Sequence, residues 1–209
     1  MDSENNASWE WFFIKFREAY GLRENMVIVS DRHESIEIAI IKVSPEARHY
    51  LCIYHLLNNL KTHYKRGNKN MSKFFLAAAK SYTMQNFNYN MQELAKINKA
   101  IVTYLEDIVG FERWARCYSI NNRGFIMTSN IAESLNAVNV AARDLPITLL
   151  LDYLRSLIQD WFFKHRSIAL GTYTTLTPKY HNLLEENYIG CCSFKVSTIT
   201  PSLIHYFNH

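Results

Sequence analysis

The chain has 209 residues, of which 48% are hydrophobic and 14% aromatic. That is enough to bury a substantial core, and it excludes a disordered chain. A formal charge of +4 and a pI near 8.8 permit a nucleic-acid partner without requiring one. Only 6 Gly and 4 Pro leave few turn-makers and favour long helices, and no uninterrupted apolar run is long enough to span a bilayer.

In chain order, a helix is expected from Ser8. Trp9, Phe12, Phe13, Phe16, Ala19 and Tyr20 share one face at helical spacing, with Gly21 as the stop. Such a stripe reads first as core. Next comes "VIVSDRHESIEIAI", residues 27 to 40: Val27, Ile28 and Val29 form a short buried strand, Asp31 stands at its C-terminal end, and a helix follows. In open α/β sheets that position borders the ligand crevice. Asp31 with Glu34 also fits a capping box, so a local role and a chemical role both stand open.

"RHYLCIYH" alternates Tyr50, Cys52 and Tyr54 against Leu51 and Ile53, which predicts a second strand buried on both faces, with His55 where it hands over to a helix. Residues 56–112 read as almost continuous helix around a basic turn, "KTHYKRGNKN". Lys61, Lys65, Arg66, Lys69 and Lys73, with Tyr64 among them, suit either a DNA backbone or a solvated face. A further helical block begins near Asn130, whose N-x-x-E spacing to Glu133 makes another possible capping box. Another begins at Pro146 as the first helical residue, with a stripe of Leu150, Tyr153, Leu154, Leu157, Ile158 and Trp161. From Gly171 the pattern weakens towards a possible terminal strand in "CCSFKVSTI".

Cys52, Cys117, Cys191 and Cys192 form no C-x-x-C pair, and no signal peptide is visible, so a reduced compartment, cytosol or nucleus, is the simplest placement. Cys52 and His55 could be half of a zinc site completed by Cys191 and Cys192. Adjacent cysteines are awkward ligands for one tetrahedral ion, however, and a buried Cys beside a hydrogen-bonded His is the preferred reading.

The constellation that carries chemistry is Asp31, Cys52 with His55, and Glu133. Two converging carboxylates are what a hard divalent cation in phosphoryl transfer requires. The stretches "SWEWFF", "VIVSDRHESIEIAI", "CIYHLLNNLK", "TSNIAESLNAV" and "RDLPITLLLDYLRSLIQDWFFKHR" occur in an order and spacing that resemble plant Mutator-like (MULE) transposases, from about residue 2 to residue 190. The resemblance implies an RNase H-like catalytic core with an Asp, Asp, Glu triad that binds Mg²⁺ or Mn²⁺ and cuts and joins DNA at transposon ends. Asp31 matches the second acid, Glu133 the third, and Cys52 with His55 the C-x-x-H signature.

The first acid of the family lies upstream of the matching segment, and Asp2 matches a different position. The expected fold is therefore α/β, a partial RNase H-like core lacking its first strands, with a large all-helical insertion and a helical C-terminal part. In residues this gives 1–55 as partial core, 56–128 as helical insertion, 129–170 as core helices carrying the third acid, and 171–209 as a tail leading towards an absent SWIM zinc finger. The resemblance also implies a nuclear protein with DNA as partner and no membrane; oligomers are possible. With two of three acids, metal binding is expected to be weak and the chain inactive alone. The alternatives are a domesticated DNA-binding protein, like the transposase-derived plant transcription factors, and a helical interaction module without nucleic acid.

Overall fold

In the computed structural model, which describes residues 4–64, 69–119, 126–192, 194–200 and 203–208, α1 spans Asn6–Tyr20. It starts two residues before the expected Ser8 because Asn5 caps it, its side chain accepting the Ser8 N–H at 2.9 Å. Gly21 ends it at φ 70°, a left-handed value that suits glycine. β1 (Val27–Ser30) and β2 (Arg48–Leu51) pair in parallel, Val27 opposite Arg48 and Ser30 opposite Leu51. Parallel neighbours need a crossover, and α2 (Glu34–Val43) supplies it. Phe13 of α1, Ile36, Ala39 and Ile40 of α2, and Ala47 form one buried cluster, with Trp9, Met26, Ile28 and Val43 packed against it. The aromatic stripe is thus partly core, as its spacing implies.

Two local expectations are corrected here. The strand predicted over "RHYLCIYH" stops at Leu51: Cys52 is the N-cap of α3 (Ile53–His63), and its N–H donates to the Ser30 carbonyl at 2.7 Å. Tyr54 and His55 are therefore helical. Helical burial of Ile53, Leu56, Leu57 and Leu60 overrides the short alternating pattern, because these four share one apolar face. β2 itself runs from exposed Arg48 to buried Tyr50 and Leu51, so it is not buried along its whole length. Nor does Asp31 form a capping box with Glu34. His33 is the N-cap of α2, accepting the Ser35 N–H on its ring at 3.3 Å, while Asp31 Oδ1 accepts the His33 N–H at 3.2 Å in a turn that precedes the helix.

The expected helical stretch is present as α3, α4 (Lys69–Lys80), α5 (Met84–Ile97) and α6 (Lys99–Thr103), then a π-helical turn Tyr104–Val109 and 3₁₀ turns at Phe111–Arg113 and Arg116–Tyr118. Gly110, at φ 82°, closes the π turn. These elements share a second core with Leu51 and Ile53. Its centre is Trp114, fully buried against Phe75 at 5.1 Å and Phe87 at 5.8 Å between ring centroids. α7 (Asn130–Asn139) has Asn130 as its first residue, not its cap.

Residues 1–138 and 139–209 are two compact units. In the second, a 3₁₀ turn Val140–Ala142 precedes α8 (Ile147–Leu170), and Pro146 is the N-cap, one position earlier than expected. Leu150, Tyr153, Leu154 and Leu157 of its stripe are half-buried, while Ile158 and Trp161 are exposed. The weakly patterned stretch after Gly171 contains α9 (Pro178–Cys192), a helix without an apolar stripe: only Leu183 among its residues is half-buried and the others are exposed. Cys191 and Cys192 end that helix rather than opening a strand. The terminal strand starts later, as β3 (Phe194–Thr200), paired antiparallel with β4 (Leu203–Asn208). Among the described residues no helix is long and apolar enough to cross a membrane.

Candidate active site

Within the first unit, a cavity of about 550 Å³ runs along β1. One wall is aromatic, from Trp9, Phe12, Phe13 and Phe16 of α1. The floor is Val27 to Asp31, and the far side is His55, Ser129, Ala132, Glu133 and Asn136. Asp31, His55 and Glu133, distant in sequence, therefore share one cavity. The elements explain why. Asp31 follows β1 and His55 lies in the first turn of α3, which starts where neighbouring β2 ends; parallel strands put these two ends on the same side.

Glu133 arrives there because the segment before α7 is stitched to the start of α3. The Ile53 N–H donates to the Met127 carbonyl at 3.1 Å, and the Ser129 N–H donates to Cys52 Sγ at 3.4 Å. The Ser129 hydroxyl then donates to Glu133 Oε1 at 2.7 Å and lies 3.4 Å from His55 Nδ1. His55 Nδ1 and Glu133 Oε1 are 3.8 Å apart.

The electrostatics follow this layout. Burial lowers the pKa of His55, but its hydrogen bond with Cys52, the charge on the Cys52 sulfur, and the Glu133 and Asp31 carboxylates outweigh it and hold the imidazole above its ordinary value. Burial pushes the Cys52 thiol up, yet hydrogen bonds from Ser129 and His55 leave it below its ordinary value. On the other side of Asp31, Ser30 Oγ donates to the Asp31 carbonyl at 2.7 Å and meets His49 Nε2 at 2.8 Å. Arg32 ties the same loop to the helical block, its guanidinium bonded to the Tyr104 hydroxyl and lying 5.5 Å from that ring's centroid.

Cys52 is buried and His55 hydrogen-bonded, while Cys191 and Cys192 are exposed in the second unit. Among the described residues, no group of three His, Cys, Asp or Glu side chains is placed to hold a metal ion. Of the basic positions, Lys61 and Lys73 are exposed on α3 and α4, and Lys69 opens α4. Lys65, Arg66 and Asp2 lie outside the described residues. Ser129 is the cavity residue that the motifs leave unmarked. Its signal in the sequence is a hydroxyl one helical turn before Glu133, a spacing at which side chains meet.

Residues 1–59 match the MULE transposase domain. Over these residues the chain is similar to that domain, in agreement with the resemblance carried by its motifs. The match covers α1, β1, α2, β2 and most of α3, so Asp31, Cys52 and His55 fall inside the matched segment, and Ser129 and Glu133 outside it. No curated protein matches the chain.

Proposed function

We propose that the chain is part of the catalytic region of a plant MULE DNA transposase, a nuclear protein in which Asp31 and Glu133 serve as the second and third acids of an RNase H-like core. The observation that carries this reading is the shared cavity of Asp31, His55 and Glu133 beside a parallel β1–β2 pair. In this reading the edge of β1 away from β2, which pairs with no strand among the described residues, is where the strand bearing the first acid would lie. The reaction is metal-dependent DNA cleavage and strand transfer.

Asp31 and Glu133 suit Mg²⁺ or Mn²⁺ in kind, being hard oxygen donors, but among the described residues no group of three His, Cys, Asp or Glu is placed to hold a metal, and one or two carboxylates hold such an ion mainly together with waters and substrate phosphates, so without substrate they would hold it weakly. When bound, a divalent cation supplies activation of the attacking oxygen and stabilisation of the leaving one. The chain's own residues position that chemistry: the two carboxylates fix the site, and His55 stands beside Glu133 as a proton-carrying group whose raised pKa favours its charged form. Lys61 and Lys73, with Lys65, Arg66 and Lys69 of the same basic stretch, are assigned to the DNA backbone.

The test is a Mn²⁺ titration of the full chain followed by electron paramagnetic resonance. Weak binding that is lost in both Asp31→Ala and Glu133→Ala is the expected result, and binding untouched by both changes refutes the assignment. The same preparation should not nick plasmid DNA with Mg²⁺ or Mn²⁺. Its affinity for duplex DNA, read by fluorescence anisotropy, should fall with salt, and replacing Lys61 and Lys73 by Ala should reduce the log–log slope by roughly 0.9 per lost phosphate contact. A salt-independent affinity would remove DNA from the reading.

A further inference from the structure

We infer that Ser129 is the positioning residue of Glu133, and that Cys52 and His55 act through it as a clamp on the third acid. This rests on the assignment of Glu133 to the metal site. It gives the C-x-x-H pair a task that needs neither zinc nor a nucleophilic thiolate.

Three contacts of one residue carry the inference. The Ser129 N–H is spent on Cys52 Sγ, its hydroxyl proton on Glu133 Oε1, and its hydroxyl oxygen faces His55 Nδ1. Cys52 is itself fixed: it is buried, it caps α3, and its N–H is bonded to the end of β1 through the Ser30 carbonyl. The anchor of Ser129 is therefore the end of the β1–β2 pair that also presents Asp31. The Ile53 N–H to Met127 carbonyl bond, two residues before Ser129, prevents the segment from pivoting about Cys52. A glutamate in the first turn of an exposed helix otherwise has free χ angles; here its carboxylate is directed by a hydroxyl whose backbone belongs to another part of the core.

The proton arrangement gives a signature. A serine hydroxyl has one proton, and at 2.7 Å it is on Glu133. The hydrogen in the contact with His55 must then sit on Nδ1, so neutral His55 is held as the Nδ1–H tautomer. A bond to Glu133 thus sets the state of a ring that belongs to another helix. If Glu133 no longer accepts, the Ser129 proton is free to turn to Nδ1, and the ring changes to Nε2–H.

The experiment uses the full chain, ¹⁵N-labelled at histidine and free of metal, with His55 read by its ring nitrogen shifts at alkaline pH. Wild type and Glu133→Gln, which keeps an acceptor oxygen, should show Nδ1–H, whereas Glu133→Ala should show Nε2–H. A His55 tautomer that ignores Glu133→Ala overturns the clamp. In the Mn²⁺ titration, Ser129→Ala should bind on the order of tenfold more weakly, as loss of an outer-shell partner does, and Ser129→Thr should restore binding. Wild-type Mn²⁺ affinity in Ser129→Ala, alongside lost binding in Glu133→Ala, also overturns it. If neither Asp31→Ala nor Glu133→Ala weakens Mn²⁺ binding, the metal assignment falls, and the tautomer result alone decides the clamp.

Discussion

Ser30→Ala removes a single hydroxyl from the end of β1 and should destabilise the first unit through His49. The Ser30 proton is on the Asp31 carbonyl, so Ser30 can only accept from His49, and the ring must carry its hydrogen on Nε2. The other nitrogen, Nδ1, is buried with no partner among the described residues. Protonating the ring would place a second N–H where nothing accepts it. This agrees with the lowered pKa of His49, set first by burial and then by nearby Arg113, against the opposing pull of Glu37 and Asp31.

With Ser30 shortened to Ala, the Nε2–H loses its acceptor, and an unsatisfied buried donor costs about 1–3 kcal/mol. Urea unfolding of the full chain at neutral pH, followed by circular dichroism, measures this. The pH dependence has a definite sign. A folded pKa below the ordinary 6.5 means the unfolded chain binds more protons, so this contribution is intact above 6.5 and is lost as pH falls through the folded value. His49→Gln should flatten that acid-side loss. A Ser30→Ala cost under about 0.5 kcal/mol, the scatter of an ordinary surface change, or an acid slope unaltered by His49→Gln, would refute the tautomer reasoning.

Two further outcomes follow from packing and exposure. Trp114→Ala empties the centre of the helical core, where three rings meet it within 6 Å (5.1 Å for Phe75, 5.8 Å for Phe87 and 5.9 Å for Phe111), and should cost about 3–5 kcal/mol in urea unfolding; a loss under about 2 kcal/mol would show that this core collapses around the gap. His55→Ala should be mild by comparison, within about 1 kcal/mol, because the side chain is 41% exposed and its ion pair with Glu133 is screened. Its folded pKa is raised, so its small contribution is present below 6.5 and is lost as pH rises through the folded value. A melting loss on the scale of Trp114→Ala would make His55 a core residue instead of a site residue.

What the sequence by itself determined is what short-range pattern can encode. Val27–Val29 carry the strand, Asp31 follows its end, Gly21 stops α1, and the apolar spacing within residues 56–112 gives the helices α3 to α6. Asp31, His55 and Glu133 were legible as candidates because several motifs occur together in family order, and the fold puts all three on one cavity. Each local ambiguity was decided by a partner distant in the chain. Cys52 ends the strand, its N–H still bonded to the Ser30 carbonyl, because the helix after it buries four apolar residues. The cap of α2 fell to His33, two residues after Asp31, and α9 formed without the apolar stripe that would have announced it. Ser129 drew no notice because a serine before a helix is ordinarily a cap. Only the fold placed Cys52, His55 and Glu133 around it, and hydrogen-bond partners separated by more than seventy residues leave no periodic trace in a sequence.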